Sequence, residues 1–161
     1  MKNNFTIKPV GTTECGRGNF SIRLEPKFIP ALERLQDFSH IIVLWWADQL
    51  DNDESRSATT VKQPYAGAPE TLGIFATRSP MRPNPVLTTV CGVSAIDAKN
   101  GVIHLYYIDA DNGTPVIDIK PYLPCADRVT DAKTGPWCEN WPASLEESAE
   151  FDWTTVFPGV E

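Results

Sequence analysis

The sequence predicts an all-β or β-dominated domain, closed as an antiparallel β-barrel with one or two short helices. Three observations carry that expectation. Short apolar stretches rich in β-branched and aromatic residues recur along the 161 residues, separated by Gly, Pro and Asn turn signals. Asn100-Gly101 is the strongest hairpin signal, because both residues tolerate the positive φ of a type I′ turn. No stretch is followed by a Gly-rich turn and a long helix, so the dinucleotide-binding βαβ fingerprint is absent.

The elements follow in order. Residues 5–10 and 20–24 alternate apolar and polar positions and read as half-buried strands with a glycine-containing turn region between them. Residues 26–35 place Phe28, Ile29, Leu32 and Leu35 at helical spacing, and Pro30 limits that helix to a turn or two. The continuous run IIVLWW at 41–46 reads as a strand buried on both faces, at the centre of the core. Residues 48–70 are polar and aperiodic, a long loop of the kind that is functional or disordered. Strands are expected at 72–77, 86–96, 102–108 and 116–119, and Pro142 opens a helix running through Leu145 to about Phe151.

With 42% hydrophobic residues the chain suffices for one core, so a single domain is expected over 1–161, its centre at about 5–131 and an acidic, Trp-containing extension at 132–161. The net charge of −7 argues at face value against a nucleic-acid partner. The acid is concentrated at the end, where Lys133 is the only base after residue 128, while the middle is balanced and offers Arg78, Arg82 and Lys120 for a local basic face. No apolar leader and no membrane-length apolar run are visible, which leads us to expect a cytoplasmic protein without a membrane partner. Cys15, Cys91, Cys125 and Cys138 show no CxxC pairing and no His at ligand spacing, so free thiols are expected and no metal.

Three motifs concentrate chemistry. In TRSPMRPNP (residues 77–85), Arg78 and Arg82 present guanidinium forks, and Ser79 and Asn84 add hydrogen bonds on a backbone that proline orders, an arrangement suited to clamping an anion. In DADNGTP (109–115), Asp109, Asp111 and Asn112 stand at a strand end, where they accept hydrogen bonds from a ribose, steady a cation, or form a solvated Asx turn. In DIKPY (118–122), period-2 geometry puts Asp118 and Lys120 on one face as an ion pair, with Tyr122 beyond Pro121. His40 and His104 lack catalytic partners in the sequence, and no Ser/His/Asp arrangement is present.

FSHIIVL (38–44), GIFATRSPMRPNP (73–85) and NGTPVIDIKPYLP (112–124), in this order and spacing, resemble the TsaA-like, or TrmO, family over about residues 29–131. The resemblance implies a single-sheeted β-barrel, usually dimeric, that binds S-adenosylmethionine and methylates N6 of N6-threonylcarbamoyladenosine beside the tRNA anticodon. Carried over by position, it implies cofactor contacts at Asp48, Gln49, Arg78, Thr88, Asp109, Ala110, Asp111 and Asn112, with Arg78 meeting the methionine carboxylate. Arg82 and Asn84 are expected to meet the substrate. Asp118 and Tyr122 are candidates for accepting or orienting the proton on the acceptor nitrogen, and Lys120 for balancing charge. Here Asn112 stands where the family has Asp, a change that keeps a hydrogen bond and removes a charge. The family's Phe-Gly-Thr-Pro-Arg-Gln segment is missing, because residues 12–19 read TTECGRGN. That absence leaves open a small-molecule methyl acceptor, and the changed Asp48, Thr88 and Asn112 leave open a non-catalytic S-adenosylmethionine sensor.

Overall fold

A computed structural model describes residues 6–157. Eight strands lie among them: β1 (Gly11–Gly16), β2 (Asn19–Leu24), β3 (His40–Trp46), β4 (Thr60–Lys62), β5 (Thr71–Gly73), β6 (Val86–Asp97), β7 (Val102–Leu105) and β8 (Pro115–Pro121). Three short α-helices accompany them: α1 (Asp53–Ser57), α2 (Pro124–Asp127) and α3 (Leu145–Ala149). The chain divides into two compact units, one from residues up to Asn52 together with Asn84–Arg128, the other from Asp53–Pro83 together with residues from Val129 onward.

The first unit is a closed antiparallel barrel in the order β1-β2-β7-β6-β3-β8, and β8 returns to β1 through Gly11↔Val116 and Thr12↔Pro115. β3 is its central strand, paired with β6 on one side and β8 on the other. Its inward residues Ile41, Val43 and Trp45 are buried, whereas His40, Ile42, Leu44 and Trp46 on the outer face are only half-buried. The expectation of burial on both faces is thus corrected, since a barrel strand has one face toward the lumen and one away from it. Ile22, Ile41, Val43, Ile103 and Val116 have no exposed surface and form the centre of the core. Trp45 reaches from that core to donate its indole N–H to Thr89 Oγ1 at 3.0 Å.

The first strand is not where alternation placed it. Residues 6–9 are irregular, Phe5 lies outside the described residues, and β1 occupies the segment read as a turn region. Its inward residues are Gly11, Thr13 and Cys15, small side chains that leave no hydrophobic signal. Gly11 has no room for more, because a Cβ there would lie 2.3 Å from the Arg23 carbonyl oxygen. The two-residue hairpin also sits elsewhere. Arg17 and Gly18, at φ +51° and +78°, join β1 to β2 with the positive φ pair of a type I′ turn. At the expected site the β6–β7 connection is a four-residue turn over 98–101, and Gly101 alone in it has positive φ, +69°. Asp97 holds that turn by accepting the Asn100 backbone N–H at 3.1 Å and its side-chain amide at 2.6 Å. β7 stops at Leu105 and β8 extends beyond the short strand expected there. The helix expected at 26–35 is two 3-10 segments, Pro26–Leu32 and Leu35–Asp37, consistent with Pro30 inside the first.

In the second unit, the region read as one long loop carries α1 and β4, and β4 pairs with β5 in a separate two-stranded sheet. β5 ends at Gly73, and a 3-10 turn over Ile74–Ala76 replaces the rest of the strand expected to Thr77. Tyr65, Trp141, Phe151, Trp153 and Phe157 pack edge to face, with Tyr65–Trp141 at 5.1 Å and Trp141–Trp153 at 5.6 Å. Trp141 and Trp153 therefore serve packing inside this unit. α3 starts at Leu145, later than Pro142 suggested, because Ser144 caps it: Ser144 Oγ accepts the Glu147 N–H at 3.1 Å while Glu147 Oε2 accepts the Ala143 N–H at 2.9 Å. The last four residues of the acidic extension lie outside the described residues. No helix among the described residues is long and apolar enough to cross a membrane.

Candidate functional site

One end of the barrel gathers the chemistry. After β7 the chain passes Tyr106 and Tyr107, buries Ile108, and turns through Asp109–Gly113 into β8, with Gly113 at φ +85°. Polar groups of β1 fasten this turn. Thr13, 1% exposed, donates its hydroxyl to the Asp111 carbonyl and accepts the Thr114 N–H at 3.0 Å. Its backbone carbonyl accepts the Gly113 N–H at 2.8 Å. Asn112 Oδ1 accepts the Cys15 N–H at 2.9 Å, a role an Asp would fill equally well, so the departure from the family pattern keeps the fastening and removes a charge.

The turn after β3 closes the site from the other side. Asp48 and Gln49 lie in a 3-10 turn over Asp48–Leu50, held by the Ala47 N–H on the Pro85 carbonyl at 2.9 Å and the Trp46 indole on Asp51 Oδ2 at 2.9 Å. Gln49 Nε2 then donates to Asp111 Oδ2 at 3.1 Å. The structure thus joins Gln49 to the turn that bears Asp109, Ala110, Asp111 and Asn112, with Asp48 next to Gln49.

Two aromatic residues flank this turn, and no motif signalled either. The Phe20 and Tyr107 rings meet edge to face, centroids 5.3 Å apart at 70°. Phe20 stands opposite Cys15 in the β1–β2 ladder, so the pair abuts the residue that Asn112 holds. Burial, the charge of Asp109 and a hydrogen bond to it push the Tyr107 phenol above its ordinary pKa, which keeps the proton available for donation to Asp109. Burial likewise raises the Cys15 thiol, against a hydrogen bond with Thr13 that lowers it. The available sequence signal was the Tyr106-Tyr107 pair just ahead of an acidic turn; Thr13 left none.

The remaining expected residues belong to other elements. Asp118 and Lys120 form the anticipated ion pair on one face of β8, and Asp118 Oδ1 also accepts the Ile119 N–H at 2.9 Å. Both side chains are about half exposed, so the pair contributes little to stability. Tyr122 follows β8, donates its N–H to the His40 carbonyl at 3.0 Å and sets its ring edge-on to His40 at 6.5 Å. Thr88 stands opposite Leu44, and Leu44 opposite Asp118, so the three share one row across the outer face of β6, β3 and β8. In the second unit, buried Thr77 donates to the Ile74 carbonyl at 2.9 Å and shapes the turn that exposes Arg78. Arg82 braces this turn by donating to the carbonyls of Thr77 and Ser79, both at 3.3 Å. Asn84 is exposed at the start of β6, its carbonyl accepting the Val86 N–H at 2.7 Å. Among the described residues no group of three His, Cys, Asp or Glu is placed to hold a metal ion.

The chain is similar in sequence and fold to known proteins. The chain is 37% identical over 151 residues to the tRNA (adenine(37)-N6)-methyltransferase of Escherichia coli K12, a match covering 89% of this chain and 61% of that one. It is 34% identical over 137 residues to an S-adenosyl-L-methionine-binding protein of Archaeoglobus fulgidus, covering 76% and 93%. The crystal structure of TrmO from Pseudomonas aeruginosa superposes with a TM-score of 0.62 at 29% identity, over 83% of this chain and 62% of that one. The chain spans less than two thirds of the length of several relatives, among them 32% and 49% of two others it matches. Residues 3–128 match the family described as the tRNA-methyltransferase O N-terminal domain, and the chain belongs to that TrmO family.

Proposed function

We propose that the chain binds S-adenosylmethionine and transfers its methyl group to N6 of N6-threonylcarbamoyladenosine in tRNA. The observation that carries this reading is the Gln49–Asp111 hydrogen bond, which unites two segments that the family assigns to the cofactor. The donor set fits that ligand. Asp109, Asp111, Asn112 and Gln49 supply carboxylate and amide groups suited to ribose hydroxyls and an ammonium group, and the likeness to the E. coli tRNA (adenine(37)-N6)-methyltransferase supports the acceptor.

When bound, the sulfonium supplies an activated methyl group, so the protein's task is to align donor and acceptor. Asp48, Gln49, Thr88 and the Asp109–Asn112 turn hold the cofactor, and Arg78 takes a carboxylate through its guanidinium fork. Arg82 and Asn84 contact the substrate. Asp118 and Tyr122 accept or orient the proton that the acceptor nitrogen loses, and Lys120, already paired with Asp118, balances its charge. The protein acts in the cytoplasm as a homodimer, for which the half-buried row of Ile42 and Leu44 on β3 offers an apolar surface.

The test is incubation with isotope-labelled S-adenosylmethionine and tRNA carrying threonylcarbamoyladenosine, followed by nucleoside mass spectrometry. Label in the methylated threonylcarbamoyl nucleoside is the expected result. Label found only in small molecules of a cell extract would reassign the acceptor, and label found nowhere, despite cofactor binding, would leave a sensor.

A further inference from the structure

We propose that Tyr107, backed by Phe20 and followed at once by the acidic turn of Asp109 and Asp111, recognises the positive charge of a sulfonium and so separates the methyl donor from its neutral thioether product. The inference rests on the cofactor reading above. Tyr107 is 56% exposed, a large aromatic surface left open at the barrel end where Gln49, Asp111 and Asn112 converge. Its ring is not loose. Phe20 meets it edge to face, and Phe20 is itself half-buried against the barrel core. Such a contact fixes the plane of an aromatic ring and leaves a face available to a ligand.

Charge decides what that face suits. Two carboxylates stand on this turn, Asp109 and Asp111, and the partner of Asp111, the Gln49 amide, is neutral. That bond therefore leaves the negative charge of Asp111 uncancelled. The phenol oxygen enriches its own ring in electron density, which strengthens the attraction of the ring face for a cation. An electron-rich ring beside two carboxylates favours a cationic ligand over a neutral one of the same shape. S-adenosylmethionine and S-adenosylhomocysteine differ by one methyl and by that charge. Product release follows from the same chemistry, because the sulfur loses its charge when the methyl leaves.

Calorimetry on the full chain tests the proposal with both ligands. Tyr107→Leu is expected to weaken S-adenosylmethionine about tenfold and to change S-adenosylhomocysteine less than about twofold. Tyr107→Phe should keep most of the discrimination. Placing pentafluorophenylalanine at position 107, which retains ring shape and inverts its charge distribution, should lose it, and this comparison holds even if the Leu variant folds poorly. Equal losses for both ligands, or no change for either, would overturn the role of Tyr107. Absence of S-adenosylmethionine binding to the unaltered chain would instead overturn the cofactor reading, so the two failures are distinct.

Discussion

Gln49 and Asp111 lie 62 positions apart and meet side chain to side chain at 3.1 Å, which makes the end of β3 and the turn before β8 one structural element. The bond is exposed, so its importance lies in positioning rather than in stability. Gln49→Ala should leave the melting temperature nearly unchanged and weaken S-adenosylmethionine about tenfold by calorimetry, in line with the worth of a hydrogen bond to a charged group. Gln49→Glu should bind more weakly still, because it sets a second carboxylate against Asp111.

Thr13 carries a different load, since its hydroxyl is buried and serves two backbone groups of the turn, the Asp111 carbonyl and the Thr114 N–H. Thr13→Val keeps the volume and leaves the two groups only their long bond to each other, the Thr114 N–H on the Asp111 carbonyl at 3.3 Å. Urea unfolding should show a loss of about 1–3 kcal/mol, and Thr13→Ser should recover most of it. Equal stability of the Val variant would show that water replaces the hydroxyl.

The buried Cys91 thiol gives a pH signature. Burial, with a smaller contribution from Cys15, pushes it from an ordinary value of 9.0 up to about 12. Below 9 both folded and unfolded states keep the proton, and its contribution to stability is fully present. As pH rises from 9 toward 12 the unfolded thiol ionises while the folded one does not, so stability falls through that window. Cys91→Ala should flatten this part of the pH–stability curve. At about pH 8 a thiol reagent should label exposed Cys125 readily and reach Cys91 only on unfolding.

The sequence made the barrel legible where side chains are large and local. IIVLWW marked β3 because its inner and outer faces are both apolar, although only the inner one is fully buried. The strand GTTECG stayed hidden because a narrow lumen there takes Gly11, Thr13 and Cys15, residues that read as a turn. Asn100-Gly101 misled for a related reason: Asp97 captures Asn100 and stretches the turn to four residues, while Arg17-Gly18 forms the tight one. The segments proposed for the site stood out as motifs, and the Asp118–Lys120 pair followed from period-2 spacing alone. What sequence could not show were partners about a hundred positions apart, such as Thr13 with Asp111 and Cys15 with Asn112.

β1 and β8 meet through two residue pairs, and just beyond them the Asp109–Gly113 turn hangs from Thr13 and Cys15. This short seam, extended by the Val10 N–H on the Val116 carbonyl at 2.7 Å and the Thr13 N–H on the Thr114 carbonyl at 3.0 Å, converts an open ribbon of six strands into a cylinder. A molecule gripping the turn would act as a clasp on that seam, since whatever steadies the turn steadies the closure beneath it. Amide exchange at Gly11–Thr13 would then slow on ligand addition before exchange in β3 responds, and occupancy could be read from the wall of the cylinder rather than from its mouth.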